Sequence, residues 1–448
     1  MNDPARKIQS CKCILAVTLM MMASACESPK PPVAPVAPVA KPPVSATPVP
    51  AAPPATPTKA APAPITAAPP VTKPETPDDA ARALASVPGS VLASVLTAVT
   101  WAELSGWQQD NHAEALPALL QGCRVLTKQS AWREVCEAAP AVKGAAAAKL
   151  FFETHFKPYR LAGADGVAEG LITGYYEPTL RGSRKPSARN KYPVYGLPDD
   201  MLALELGELA PDLRTTAPRV RIEGKRVVPY HTRAHIDGDE APLRGKEIAW
   251  VEDPIDLFFL QVQGSGRIAL DEGGVMRVGF AGHNGHTYRS IGRVLIERGD
   301  LTLERASMQG IKAWTRAHPT RLTELLNHNP RYVFFRELQG NGSAPPGSLG
   351  VPLTPQRSIA IDPRYVPLGV PVHIATTWPN TDKPLQRLML AQDTGGAIRG
   401  VVRADFFWGS GDLATREAGR MQQSLRMWVL LPKTFAAQVP PRNGAPKS

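Results

Sequence analysis

Residues 391–414 read AQDTGGAIRGVVRADFFWGSGDLA, the densest acidic stretch of the chain's C-terminal third, with Asp393, Asp405 and Asp412 within twenty residues. An apolar strand, LQRLMLAQD, ends at Asp393, and the Thr394-Gly395-Gly396 that follows is a turn where main chain can approach a ligand closely. Asp412 follows Gly409-Ser410-Gly411 and is placed to cap a helix from about Leu413. Taken alone, Asp393 reads as a turn residue, Asp412 as a cap, and Asp405, beside Arg403, as half of an ion pair. Asp405 carries a second reading. It precedes Phe406-Phe407-Trp408, and a carboxyl among aromatic rings loses hydration, which raises its pKa toward the range of a general acid. Aromatic faces are also surfaces on which sugars stack, and glycosidic cleavage needs a protonated carboxyl at the leaving oxygen.

Outward from this stretch lie short runs rich in Val, Ile and Phe: RYVFFRE, SIAIDP, GVPVHIAT, LQRLMLAQD and RMWVLLP. Upstream, GLITGYYEP, NKYPVYGLP, RVRIEGKRVVPYHT and EIAWVEDPIDLFFLQVQGSGRIAL form another β-rich region punctuated by Gly and Pro. Helical spacing marks residues 81–158 and returns at 286–299, 303–318 and 320–328. Strands and helices do not alternate, so the class is α+β, mainly β, with barrel-like regions rather than a doubly wound sheet.

The chain has 448 residues and 47 prolines, of which 18 fall between positions 29 and 79. That segment, otherwise mostly Ala, Val and Thr, lacks the donors and large apolar side chains of a packed core. It reads as a polyproline linker rising about 3.1 Å per residue, a reach of roughly 150 Å. Net charge is +11, of which +9 falls after residue 80 (44 basic against 35 acidic residues). A basic domain attracts anionic polymers such as acidic glycan, although a mildly basic surface with no specific partner has the same arithmetic. With no block of five Lys or Arg, a nucleic-acid tail is not expected. This composition excludes a membrane channel, a coiled coil and a wholly disordered chain.

The N-terminus reads as an export signal. Arg6, Lys7 and Lys12 precede the apolar run 13–22, which is too short to span a bilayer, and Ala23-Ser24-Ala25 is a cleavage site followed by Cys26. Cys26 resembles the lipidated first residue of a bacterial lipoprotein, with ordinary cleavage after Ala25 as the alternative. Glu27 at the next position fits outer-membrane export for that signal class. Beyond the signal and Cys26 only Cys123 and Cys136 remain, and an even pair in an exported chain points to a disulfide between adjacent helices.

Other chemistries are poorly served. His231 with His235, and His283 with His286, have ligand-like spacing but no acidic or Cys partner with them, so no metal is expected. QGSG at 263–266 is not a nucleophile elbow, and GSGDLA lacks the Lys of a phosphate loop.

Several blocks in one order resemble the membrane-bound lytic murein transglycosylase A family. They are TGYYEP (173–178), DPIDLFFLQVQGSGRI (253–268), VGFAGHNGHTYRSIGRVLIERG (278–299), NPRYVFFRE (329–337), GVPLTPQRSIAIDPRYVPLGVP (350–371), AQDTGGAIRGVVRADFFWGSGD (391–412) and SLRMWVLLP (424–432). The last three are the most specific, and 350–432 matches the segment named the 3D domain for its three Asp. The resemblance implies a double-psi β-barrel domain with added helices and a second, small β-barrel domain inserted in it, with a glycan groove between them. The implied division is a signal at 1–25, an anchor and linker at 26–79, a helical N-terminal part of the large domain at 80–180, the insert at 181–283, and the rest of the large domain at 284–435.

The resemblance also implies cleavage of the β-1,4 bond between N-acetylmuramic acid and N-acetylglucosamine without water, leaving a 1,6-anhydro end, with no cofactor. It matches Asp405 to the single general acid/base and Asp393 and Asp412 to supporting positions. Two ionised neighbours would help keep Asp405 protonated. Thr173, Tyr176, Gln263 and Ser265 match positions that hydrogen-bond the glycan, although TGYYEP also reads as a strand crossing between domains. The implied setting is the periplasmic face of the outer membrane, through a lipid anchor, with peptidoglycan strands as substrate and cell-wall synthases or amidases as possible partners. Two rival functions remain open. A non-catalytic peptidoglycan-binding lipoprotein would release no soluble muropeptides, and a water-using hydrolase would leave reducing ends.

Overall fold

A computed structural model describes residues 87–206, 218–339 and 344–436. The expected signal, Cys26 and the linker lie outside these residues. All described residues belong to one unit.

The segment after residue 87 is helical, as its apolar spacing requires. Helix Leu116–Leu126 buries Leu116, Leu119, Cys123 and Leu126 on one face, and helix Ser130–Ala138 turns Trp132, Val135 and Cys136 toward it. Cys123 and Cys136 form a disulfide, with their Cα atoms 5.4 Å apart. Strand Phe156–Leu161 ends this segment and pairs with strand Gln422–Pro432, attaching the helices to the β core.

Six strands close into a barrel. Gln422–Pro432 pairs with Pro371–Thr377, which pairs with Pro384–Thr394. Pro384–Thr394 lies parallel to Ser358–Ile361, which runs antiparallel to Arg403–Ser410. Arg403–Ser410 is parallel to Gly170–Glu177, and Gly170–Glu177 returns to Gln422–Pro432. The ring has no free edge, which removes the pairing hazard of an open sheet. By register Val372, Ile374, Met389, Leu425, Met427 and Val429 share its inner face, each buried. Arg403–Ser410 lay outside the runs expected to be strands. Its Ala, Asp and single Gly lower β propensity, and pairing on both sides makes it a strand.

A second six-stranded sheet orders Val333–Glu337, Val275–His283, Ser265–Leu270, Thr179–Ser183, Glu247–Val251 and Tyr192–Tyr195. Its own core includes Leu180, Val194, Ile268, Val278 and Phe335. Two of its strands fall outside 181–283 or straddle that boundary. Thr179–Ser183 begins two residues earlier, and Val333–Glu337 returns to pair with Val275–His283 after an excursion of helices. Pro178 is the only residue between barrel strand Gly170–Glu177 and Thr179–Ser183, so the chain steps from one sheet to the other at TGYYEP.

The stretch EIAWVEDPIDLFFLQVQGSGRIAL is not continuous β structure. Its middle is helix Pro254–Gln263. Asp253 caps it by accepting from the Ile255 N–H at 2.9 Å, Pro254 opens it, and Gly264 closes it at φ 77°. The helix is apolar around much of its circumference because two cores claim its faces, and Val262 alone is exposed. Leu257 and Leu260 join the core of the second sheet, while Ile255, Phe258 and Phe259 join the core of the barrel. It is therefore the wedge between the two β units.

Candidate active site

Barrel register brings the acidic positions together. Asp393 pairs with Ala360, Ala360 with Asp405, Asp405 with Thr173, and Thr173 with Gln422, a row across five strands. Directly opposed residues share a face. At a strand spacing of about 4.8 Å, the two Asp lie roughly 10 Å apart at Cα. TGYYEP and RADFFWG, separated by over two hundred residues, thus meet at Thr173 and Asp405.

Asp405 Oδ1 accepts a hydrogen bond from Thr173 Oγ1 at 2.6 Å. Thr173 Oγ1 in turn accepts from Arg403 Nη2 at 2.9 Å. Since the guanidinium has only donors, the Thr hydroxyl proton is directed at Asp405. Burial raises the Asp405 pKa to about 6 from 3.8. The Arg403 charge and the Thr173 bond oppose that shift, and the Asp393 charge adds to it. Of the three aromatic neighbours, Phe406 and Trp408 point into the barrel core. Phe407 shares the side of Asp405 and packs on Tyr175, ring centroids 5.1 Å apart. All three are buried, so none is open for a sugar to stack on, and only Phe407 lies on the carboxyl's side.

Asp393 is 4% exposed. Ser348 donates to its Oδ1 from both N and Oγ at 2.9 Å, and Tyr175 Oη donates to its Oδ2 at 3.1 Å. Three donors satisfy a carboxylate that burial would otherwise make very costly. Asp412 stands apart. It is exposed in the first turn of helix Gly411–Ala418, whose N-cap is Ser410, so the helix begins two residues before the expected start. There its charge favours the helix dipole, and it is not among the groups that shift Asp405.

The Tyr pair reverses expectation. Tyr176, expected to hydrogen-bond the glycan, turns into the barrel core, where its hydroxyl contacts Met308 Sδ at 3.3 Å. Strand alternation then gives Tyr175 the site-facing side. What Tyr176 offers is its main chain, whose N–H donates to Gln263 Oε1 at 3.0 Å. Gln263 is the last residue of the wedge helix and lines a cavity of about 210 Å³ between that helix and the Thr394–Arg399 turn. Ser265 opens the next strand, half-buried and opposite Gly279. The histidine pairs bind main chain or one another. His283 Nδ1 accepts from the Gly285 N–H, and His286 Nε2 bonds the Tyr230 carbonyl. The His231 and His235 rings pack edge-on at 6.1 Å.

Two family models match the chain, the MltA specific insert domain over residues 171–336 and the 3D domain over 357–431. The membrane-bound lytic murein transglycosylase A of Vibrio cholerae is 33% identical over 289 residues, covering 63% of this chain and 70% of that protein. The Escherichia coli K12 protein of the same name is 32% identical over 281 residues, covering 61% and 68%. The chain belongs to the membrane-bound lytic murein transglycosylase A family. It is a lytic murein transglycosylase, an enzyme of peptidoglycan.

Solved structures of the family agree in fold. The Neisseria gonorrhoeae protein in its monoclinic form superposes with a TM-score of 0.66 at 42% identity, covering 75% of this chain and 92% of that one. The Agrobacterium tumefaciens membrane-bound lytic murein transglycosylase gives 0.69 at 31%, covering 77% and 100%. The Escherichia coli structure with bound chitohexaose gives 0.57 at 28%, covering 72% and 90%. No described helix of this family member is long and apolar enough to cross a membrane.

Arg403, Tyr175 and Ser348 were not singled out as site residues from the sequence. Arg403 is adjacent in sequence to the acid segment and was legible as a flanking charge. Ser348 gave no signal, because it reaches Asp393 only through the fold.

Proposed function

We propose that Asp405 is the single general acid/base of a non-hydrolytic cleavage that leaves 1,6-anhydromuramic acid ends. As the carboxylic acid, Asp405 gives its proton to the glycosidic oxygen while the bond from that oxygen to the muramic anomeric carbon breaks. The charge developing on the sugar is of oxocarbenium type. The six-position hydroxyl of the same muramic residue then bonds to the anomeric carbon and returns its proton to Asp405. Atoms and charge balance without water, and the acid is regenerated. The observation that carries the reading is the half-buried Asp405 carboxyl with its pKa raised to about 6, its Oδ1 held by Thr173. That leaves Oδ2 as the proton-transferring oxygen.

In this reading Asp393 supports Asp405 by its charge, while Asp412, exposed in the first turn of its helix, serves that helix rather than Asp405. Gln263 and Ser265 line a glycan groove between a double-psi barrel and the inserted β domain, which takes in 181–283 together with Thr179 and Val333–Glu337. No cofactor enters. The mixed parallel and antiparallel ring supports the double-psi assignment. A lipid on Cys26 and a tether through residue 79 would hold the enzyme to the outer membrane facing the periplasm, within reach of murein and of cell-wall synthases or amidases. The membrane-bound naming of the relatives supports that placement.

The test is Asp405→Asn on isolated murein sacculi, with products read by mass spectrometry. The expected result is loss of 1,6-anhydro muropeptides with sacculus binding retained. Release at the wild-type rate would remove Asp405 from the role, and reducing ends from the wild-type enzyme would replace the mechanism with hydrolysis.

A further inference from the structure

A cation beside a general acid works against it, because it favours the ionised form of the carboxyl. Arg403 stands in that position toward Asp405. The two lie two residues apart on strand Arg403–Ser410 and so share a face. The charged groups that bear on Asp405 are Arg403 on its own strand and Asp393 two strands away, and Arg403 is the one that opposes protonation.

The hydrogen bonds of Arg403 show what it does there. Its Nη2 donates to Thr173 Oγ1 at 2.9 Å. Its Nη1 donates to the Leu171 carbonyl at 3.4 Å and to the Ala404 carbonyl. Toward Asp405 it acts as a charge, the hydrogen bond there being that of Thr173. A Thr hydroxyl has one proton to give and two lone pairs. Arg403 fills one lone pair and also engages the carbonyls of Leu171 and Ala404, which lie one or two residues along the paired strands from Thr173 and Asp405. Among the described residues the Thr173 proton has one acceptor, Asp405 Oδ1 at 2.6 Å.

The position of the acid proton follows. Were it on Oδ1, it would point at the Thr173 proton across 2.6 Å. The hydroxyl would then have to turn from its acceptor and leave a half-buried donor unpaired. On Oδ2 the proton meets no such conflict. Once Oδ2 has given it up, the Arg403 charge stabilises the carboxylate until the proton returns.

We propose that Arg403 is a positioning residue of the cleavage, acting through the hydroxyl of Thr173 to keep the transferable proton of Asp405 on Oδ2. It rests on the reading of Asp405 as the general acid/base given above.

Arg403→Met, Thr173→Val and the double variant are compared with the wild type on purified glycan strands, with kcat, KM and the pH profile of kcat/KM measured for each. At pH 5 Asp405 is largely protonated with or without Arg403, so kcat there reads where the proton sits rather than how much is bound. Arg403→Met is expected to lower kcat at pH 5 about tenfold with KM within twofold. Its alkaline limb should move to higher pH, because the charge that opposes protonation is gone. A variant that is merely less folded scales the whole profile and leaves the limb in place. Thr173→Val should lose kcat to a similar degree, and adding Arg403→Met to it should lower kcat no further. Wild-type kcat in Arg403→Met at pH 5, or an undiminished loss from Arg403→Met in the Thr173→Val background, overturns the proposal. Should Arg403→Met fail to fold, Thr173→Val decides. A kcat loss with its limb moved to higher pH supports the role, and wild-type kcat, or a loss confined to KM, overturns it. Asp405→Asn separates this from the parent reading. Cleavage by that variant at the wild-type rate removes the acid itself, whereas an inactive Asp405→Asn beside an unimpaired Arg403→Met removes the positioning role alone.

Discussion

Asp405 is held between opposing influences. Dehydration and the Asp393 charge favour its protonated form, while Arg403 and Thr173 favour the ionised one, and the first pair prevails. In the proposed mechanism the reaction begins from the acid form, so kcat/KM on peptidoglycan should fall about tenfold per pH unit above pH 6. Asp393→Asn removes a raising influence and should move that limb to lower pH, and a pH profile unmoved by the substitution would deny the coupling. Stability follows the same titration. The folded carboxyl titrates near 6 and the unfolded one near 3.8, so between those values the folded state binds more protons. Stability therefore declines as pH rises from about 4 to 6. Asp405→Asn should abolish catalysis yet leave the protein on the order of 1–3 kcal/mol more stable at pH 8, the gain vanishing at pH 4, in urea unfolding.

Strand Gly170–Glu177 serves both β units and carries the hydroxyl that orients Asp405. Its midpoint, Gly174, lies under helix Gly411–Ala418. A Cβ there would meet Trp408 Nε1 at 2.7 Å and Ala418 Cα at 2.8 Å. Neither a helix backbone nor a buried indole moves cheaply, so Gly174→Ala should cost about 1–3 kcal/mol. Because the flanking Thr173 is displaced with the strand, activity should drop more than stability does. Calorimetry paired with turnover measures both, and a variant with wild-type Tm would show that the helix lifts freely. The wedge helix shows why this element was misread as β. Its apolar run of FFLQV carries no helical period, because both β cores claim its faces. Asp253-Pro254 and Gly264 were the available signals.

Across the whole molecule, the N-terminal helices are fastened to the barrel by an internal ion cluster. Arg357 donates to Asp110 through both Nη atoms at 2.9 Å and to Glu114 Oε2 at 2.7 Å. Asp110 also accepts the Leu388 N–H at 2.7 Å. Burial works against the Asp110 charge, but Arg357 outweighs it and holds the pKa below the ordinary value. This stabilisation is present above pH 4 and is lost as pH falls through the depressed pKa. Arg357→Met leaves Asp110 buried and unpaired and should cost about 3–5 kcal/mol in denaturant unfolding. A loss below 1 kcal/mol would mean that the helices are held by apolar contact alone.

Local chemistry settled much of this protein in advance. Apolar spacing marked the N-terminal helices, Gly and Pro bounded many of the strands, the cysteine count left one pair, and an Asp amid aromatic rings marked the acid that we propose. Each of these depends on neighbours within a few residues. Tertiary structure decided the rest. Which tyrosine of TGYYEP faces the acids could not be read from alternation, because both are buried and period two does not say which face is the site. The raised Asp405 pKa needs burial and the Asp393 charge, and the carboxylate of Asp393 needs Ser348, all delivered by the tertiary fold. The cavity beside Gln263 joins residues 233, 331 and 399, whose proximity no local pattern encodes. The physical reason is range: propensity and capping act within a turn or two of chain, whereas dehydration and charge pairing depend on which strands become neighbours.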